Sequence, residues 1–378
     1  MPWEDHSNFF AGNDLHRLSE KRTNKSLIQS LAKDASSRFI LFNDLNPLME
    51  VPADVDPKLI PTKSSGQLAY LKYEDIASLI DLDTNAQSQW VFLGLDETDQ
   101  VAETGQGRAN FAIELQTLDG PSSTTAASFI SSLPPTSKFL SVRPHTFRLD
   151  ARTAAIVGTA RAVLEWNQKA RFCPSCGRST VSEESGWKRI CRKEVEGEKV
   201  CVARKSTQSF THPRTDNSII VAIVSADGQR LLLGRKHRAP PKFFSCVAGF
   251  QEPGETLEEC VRREAKEETG VDLGQIVYHS SQPWPFPSQL MLGFVANVRG
   301  SETVRPEEDE FAEARWFTKE EILTALDGAA SGKSSFANPD PKSDLVLAPP
   351  WAVAHHIIKA WAHNEVVFTE RSSEGSRI

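Results

Sequence analysis

Apolar positions along the chain gather into short runs between polar turns, and their period changes from one part to the next. Phe39-Ile40-Leu41-Phe42 and Trp90-Val91-Phe92-Leu93-Gly94 are compact runs bounded by turn-rich segments, which predicts strands. Leu118 to Thr136 is rich in Gly, Pro, Ser and Thr and reads as a loop or insertion. Ala151 to Lys169 has helical spacing, with Ile156, Ala160, Val163 and Leu164 on one side. Further on, Ser218 to Ser225 is a strongly apolar strand, joined through Asp227-Gly228 to a second at Leu231 to Arg235. Phe243 to Ala248 leads into a helix that stops at Gly270, a residue suited to a left-handed terminus. Ile276 to Tyr278 and Leu290 to Val298 read as strands, Lys319 to Leu326 as a helix, and Ser331 to Lys342 as a loop. Pro349-Pro350 precedes a last helix, Trp351 to Ala362. Strands and helices in this order predict an α+β protein whose C-terminal part is an α/β/α sandwich, behind an N-terminal mixed α/β domain. No internal repeat is evident in the sequence.

Composition narrows this picture. A chain of 378 residues holds two or more domains. The net charge of −7 argues against wholesale electrostatic binding to nucleic acid, though not against recognition of an RNA end in a pocket. No apolar run is long enough to span a bilayer, and the first ten residues lack the basic-then-apolar pattern of a signal peptide.

The chemistry concentrates in Gly249 to Val271, GFQEPGETLEECVRREAKEETGV. Positions three and four apart share a helix face, so Glu264, Glu267 and Glu268 point the same way, while Leu257, Val261 and Ala265 form a core-facing stripe. Three acids on one turn need a cation among them or thorough screening by water. Glutamate-rich helices are usually solvated faces, but hard divalent cations take oxygen donors of this kind. A second cluster is cysteine. Four of the six cysteines, Cys173, Cys176, Cys191 and Cys201, lie close together in sequence. The Cys173-Pro-Ser-Cys176-Gly knuckle aims two thiolates at one point, and a closed tetrahedral thiolate set suits structural Zn²⁺. The nine residues between Cys191 and Cys201 depart from the usual two. The competing readings are free thiols, a redox pair, or His212 as the fourth ligand. Cys246 and Cys260 read as buried thiols. A third stretch, Ser281-Gln-Pro-Trp-Pro-Phe-Pro-Ser288-Gln289-Leu290, predicts a stiff, extended loop. Trp284 and Phe286 either stack on nucleobases or pack into the domain or a subunit interface.

These stretches carry a resemblance. Gly249, Glu255, Arg263, Glu264, Ala265, Glu267, Glu268, Gly270 and Val271 fit G-x5-E-x7-R-E-U-x-E-E-x-G-U, with U apolar, which is the box of the Nudix hydrolases. SQPWPFPxS after the box, and a four-cysteine zinc ribbon before it, resemble the NADH pyrophosphatase branch of that family, some of whose members remove NAD caps from RNA. The resemblance implies an N-terminal NADH-pyrophosphatase-like domain over 1–165, a zinc ribbon over 170–212, a Nudix domain over 213–365 and a flexible tail over 366–378. It implies Mg²⁺ or Mn²⁺ held by Glu264, Glu267, Glu268, Glu310 and the carbonyl of Ala248. Arg263 would orient the acids, Glu255 would brace the loop, and Glu267 or another box carboxylate would assist deprotonation of water. Phe250, Gln282, Pro283, Trp284, Pro285, Phe286, Pro287, Ser288, Gln289 and Ala354 would border the substrate. His212, which stands where bacterial relatives have Tyr, would also contact the substrate.

The implied reaction is hydrolysis of the pyrophosphate of NADH or NAD⁺ to the (reduced) nicotinamide mononucleotide and AMP, with NAD-capped RNA 5′ ends as a second substrate. The alternatives are another nucleoside diphosphate derivative, namely ADP-ribose, a dinucleoside polyphosphate or coenzyme A, or a non-catalytic RNA-binding protein. A homodimer is a family expectation. Ser376-Arg377-Ile378 approximates a peroxisomal address, with cytoplasmic residence as the alternative.

Overall fold

In this computed structural model, residues 8–52, 66–80, 90–98, 107–117, 121–193, 197–205, 210–331 and 344–368 are described. The terminal triplet Ser376 to Ile378 and most of the Ser331 to Lys342 segment lie outside them. Contacts divide the chain into two compact units. One comprises residues 1–9, 215–284 and 289–378, and the other comprises residues 10–214 and 285–288. The segment expected as a separate ribbon, 170–212, thus counts with the N-terminal unit.

In that unit, β1 (Arg38–Asn43), β2 (Asn46–Glu50), β3 (Gln67–Leu68), β4 (Trp90–Asp96), β5 (Arg108–Glu114) and β6 (Ser137–Phe139) form one sheet in the order β3-β2-β1-β5-β4, with β6 on β2. Alternation along β1 sends Phe39 and Leu41 to one face and Ile40 and Phe42 to the other. The first face is covered by α1 (Lys25–Lys33), α2 (Tyr73–Ile76) and α3 (Pro121–Ser132), and the second by α5 (Ala151–Lys169), after the short α4 (Val142–His145). The helix α3 corrects the expected loop at Leu118 to Thr136. Ala126, Phe129, Ile130 and Leu133 recur at helical spacing and pack on the sheet, and that burial outweighs the poor helix propensity of the serines and threonines. A small sheet, β7 (Thr180–Glu183), β8 (Lys188–Cys191) and β9 (Phe210–Thr211), carries Cys191, while Cys173, Cys176 and Cys201 lie outside its strands.

The second unit holds β10 (Asp216–Val224), β11 (Arg230–Lys236), β12 (Val247–Phe250), β13 (Leu273–Trp284), β14 (Gln289–Val298) and β15 (Phe311–Thr318), in the order β13-β14-β10-β11-β15 with β12 on β10. Ile219, Val221 and Ile223 pack beneath α6 (Leu257–Thr269). Ile220, Ala222 and Val224 face α7 (Lys319–Ala330) and α8 (Val353–Ala362), which makes the expected α/β/α sandwich. The two large sheets share a connectivity that the sequence does not display. In each, an antiparallel pair (β4–β5, β13–β14) is followed by a parallel pairing (β5–β1, β14–β10) and then an antiparallel one (β1–β2, β10–β11). The repeat survives as strand order, while the acidic helix pattern occurs only once.

Candidate active site

The helix α6 is fixed at both ends. Thr256 accepts from the Glu259 backbone amide while the Glu259 carboxylate accepts from the Thr256 amide, and Gly270 closes the helix at φ 78°. Cys260, Val261 and Ala265 anchor it to the sheet. One flank then faces β12, where Gly249 lets the helix come close. A Cβ at Gly249 would stand 1.9 Å from the Glu264 carboxyl carbon.

Arg263 gathers the acids on this flank. Its Nε and Nη2 donate to the two Glu255 carboxylate oxygens at 2.5 and 2.9 Å. Its Nη1 donates to Glu264 at 2.8 Å and Glu267 at 3.0 Å, and Nη2 also reaches the Phe250 carbonyl at 2.9 Å. The guanidinium holds the Glu255 carboxyl down to about 2, helped by the Glu252 backbone amide. Glu255 and Arg263 are therefore a permanent ion pair that braces the loop onto the helix. Beyond Arg263's reach, Lys236 at the end of β11 lies 3.0 Å from Glu310 and 4.0 Å from Glu268.

Glu268 is the strained member. It is 5% exposed, and its Oε2 has no hydrogen-bond partner. Burial pushes its carboxyl up to about 7, with Glu310, Glu264 and Glu267 adding to the rise and Lys236 opposing it. Among the described residues, Glu264, Glu267, Glu268 and Glu310 do not converge within 4.8 Å as the cysteines do: Glu264 and Glu267 pair with Arg263, and Glu268 and Glu310 lie by Lys236. The residues nevertheless fit a hard divalent cation. The donors are oxygens only, and a buried carboxylate oxygen lacks a partner that coordination would supply. Such binding needs the ionised carboxylate. With a carboxyl near 7, Mn²⁺ should bind about tenfold tighter at pH 8 than at pH 6, and affinity should level off above the titration. Mn²⁺ titrations at the two pH values check this, and equal affinities would refute it.

The four cysteines converge. The sulfurs of Cys173, Cys176, Cys191 and Cys201 all lie within 4.8 Å of one another, with Cys173–Cys201 at 3.9 Å and Cys176–Cys191 at 3.5 Å. Tetrahedral thiolate coordination at zinc distances separates sulfurs by about 3.8 Å, so the set fits a metal ion, and all four are free of disulfides. His212 stands apart, its Nδ1 3.3 Å from the Trp187 carbonyl. Cys246 and Cys260 are buried.

The expected extended loop over Ser281 to Leu290 is instead a hairpin. β13 and β14 pair up to Trp284 and Gln289, and only Pro285 to Ser288 form the turn. Pro283 is tolerated in β13 because that strand is the sheet's edge, and Pro285 and Pro287 fall in the turn. Buried Gln282 donates to the carbonyls of Phe9 at 3.1 Å and Trp351 at 2.9 Å and accepts from the Val353 amide at 2.9 Å. Its amide therefore fastens the start of α8, which carries buried Ala354. Trp284 lies parallel to Trp351, ring centroids 6.3 Å apart. Phe286 counts with residues 10–214, where the guanidiniums of Arg143 and Arg161 lie 4.2 and 5.2 Å from its ring centre. Phe286 is thus packed in place, while Phe250 has an exposed ring. Two residues at the site carried no sequence signal. Lys236 is brought in by pairing of β11 with β15, and Trp351 by the Gln282 contact.

Comparison with known proteins accords with this geometry. Residues 214–338 match the NUDIX domain, and residues 36–166 match the NADH pyrophosphatase-like rudimentary NUDIX domain. The chain belongs to the Nudix hydrolases, in the NADH pyrophosphatase-like branch. It is similar to the NAD-capped RNA hydrolase of Schizosaccharomyces pombe, 31% identical over 95% of this chain and 94% of that protein. It is also similar to the NAD-capped RNA hydrolase NUDT12 of Homo sapiens, 34% identical over 95% of this chain and 76% of that protein. The mitochondrial NAD(P)H pyrophosphatase NUDT13 of Mus musculus is 32% identical over 85% of this chain and 83% of that protein.

Proposed function

We propose that this chain hydrolyses the pyrophosphate of NADH, NAD⁺ and NAD caps on RNA, releasing nicotinamide mononucleotide, reduced or oxidised, and AMP or a 5′-monophosphate RNA end. The observation that carries the reading is the acid flank of α6, drawn against Gly249 and ordered by Arg263, in a chain similar along most of its length to NAD-capped RNA hydrolases. Glu264, Glu267, Glu268, Glu310 and the Ala248 carbonyl would hold Mg²⁺ or Mn²⁺. When bound, such an ion neutralises the diphosphate and acidifies water.

The chain's own residues do the rest. Glu267, its side chain 60% exposed, is the box carboxylate best placed to accept a proton from water, an assistance typically worth ~10²–10⁴-fold. Arg263 fixes where Glu264 and Glu267 stand. Phe250 offers an exposed ring on which the nicotinamide can stack, and Gln282 holds the start of α8 against β13. The cysteine cluster would take Zn²⁺ in a structural role. Association into a homodimer is part of this proposal and rests on the family pattern, and analytical ultracentrifugation tests it.

Turnover of NADH, NAD⁺, NAD-capped RNA and ADP-ribose measured side by side with Mg²⁺ or Mn²⁺ tests the substrate. The three NAD-containing substrates should exceed ADP-ribose in kcat/KM. Fastest hydrolysis of ADP-ribose, or RNA binding without metal-dependent turnover, would overturn the proposal.

A further inference from the structure

The carboxylates of the site are shared between two cations of very different exposure and number of partners. Arg263 donates to three carboxylates and a backbone carbonyl, and its side chain is 23% exposed. Lys236 makes one close contact, to Glu310 at 3.0 Å, approaches Glu268 at 4.0 Å, and is 53% exposed. A β-bulge aims it there. Arg235 pairs with Glu313 but Lys236 pairs with Phe311, which leaves Ala312 without a partner on β11 and shifts the end of the strand. The neighbouring basic side chains are otherwise engaged. Arg235 lies 3.8 Å from Glu313, and His237 Nε2 lies 2.6 Å from the Glu308 carbonyl.

Glu268 and Glu310 would repel each other in the absence of a counter-charge, and Glu268 cannot retreat into water because it is buried. We propose that Lys236 is a resident counter-ion of the acid cluster. Its ammonium holds Glu268 and Glu310 in place in the metal-free protein and withdraws on its flexible stem when a divalent cation arrives. Lys236 thereby sets the metal concentration at which the site fills. Arg263, tied to fixed acceptors, stays. This role rests on the reading of α6 as a divalent-metal site, and Lys236 acts through Glu268 and Glu310 as a positioning residue.

Two readouts independent of turnover test it, on the full chain. Lys236→Gln removes the competing charge, so Mn²⁺ binding followed by water-proton relaxation should tighten about three- to tenfold, the scale of one like charge at this separation in a solvated site. Without added divalent ions its thermal midpoint should fall below that of wild type, and saturating Mg²⁺ should erase the difference. Lys236→Arg should behave as wild type in both measurements. Unchanged or weaker Mn²⁺ binding by Lys236→Gln would overturn the counter-ion role while leaving the metal site intact. No Mn²⁺ binding by wild type would instead defeat the reading of the site and, with it, the role built on it.

Discussion

Alanine at position 249 should lower NADH turnover by at least about 10²-fold while the protein still folds. The reason is spatial. Gly249 lies on β12, and a Cβ there would stand 1.9 Å from Cδ of Glu264 and 2.1 and 2.2 Å from its two oxygens. No side chain tolerates such an approach, so either Glu264 turns away or β12 separates from α6. Turning Glu264 away breaks its 2.8 Å bond from Arg263, and parting β12 from α6 breaks the 2.9 Å bond from Arg263 to the Phe250 carbonyl. Either way the acids shift by about 1 Å or more relative to β12. Misplacement by about 1 Å at a reacting centre costs on the order of 10²-fold. The fold should survive because the obstruction is a side-chain end and α6 is anchored independently through Cys260, Val261 and Ala265. The check is kcat at saturating Mg²⁺ alongside the thermal midpoint. Wild-type turnover in Gly249→Ala would show that the close contact is dispensable. Combining it with Glu264→Gln should add little to either change alone, because both act on the same carboxylate.

How much of this was legible in the chain depends on whether the signal is local. The box is local. The i, i+3, i+4 spacing of Glu264, Glu267 and Glu268, the Val261 and Ala265 stripe and the Gly270 stop all lie on one helix, and the structure places them there. The helix at Ala151 to Lys169 was equally plain because its apolar side repeats over several turns. The helix α3 was hidden by its serines and threonines, although Ala126, Phe129, Ile130 and Leu133 already carried the helical period. Three prolines in seven residues predict an extended, stiff loop, but Pro283 sits on the edge strand β13, which accommodates it, and only Pro285 and Pro287 lie in the turn. Contacts made by strand pairing were out of reach. Nothing in the sequence sets Lys236 beside Glu310 and Glu268, which lie more than thirty positions away along the chain. The shared strand order of the two sheets was invisible for a similar reason, since pairing order leaves no residue pattern.

Replacing Cys191 by serine should lower the thermal midpoint of residues 10–214 by about 6–12 °C and reduce bound zinc. Among the described residues, the segment around the cysteines has almost no apolar core of its own: buried Cys173, Cys191 and Cys201 form a cluster with only Ala203 packed against it. Cohesion must come from the thiolates and whatever they hold, and structural zinc contributes ~10–16 kcal/mol in small zinc-dependent folds. Forfeiting even about 3 kcal/mol of that shifts the midpoint of a unit this size by about 2–4 °C per kcal/mol. The loss should not stay local, because the small sheet is tied into its unit by buried polar contacts. Arg189 donates to the carbonyl of Ala170 at 3.0 Å and to Thr180 Oγ1 at 2.7 Å, and Asn167 on α5 donates to the Gly186 carbonyl at 2.8 Å. Trp187 Nε1 reaches the Phe92 carbonyl on β4 at 2.7 Å. Cys191 faces Thr180 across β7 and β8, so a loosened metal site frees the strand that presents Arg189. Buried Arg189 would then lose its acceptors and have to be solvated, which carries the damage into α5 and the N-terminal sheet. Metal content and near-ultraviolet circular dichroism on heating provide the measurement. A Cys191→Ser variant that keeps zinc and melts within about 2 °C of wild type, a shift worth no more than about 1 kcal/mol, would show that the cysteines are not what holds this segment together.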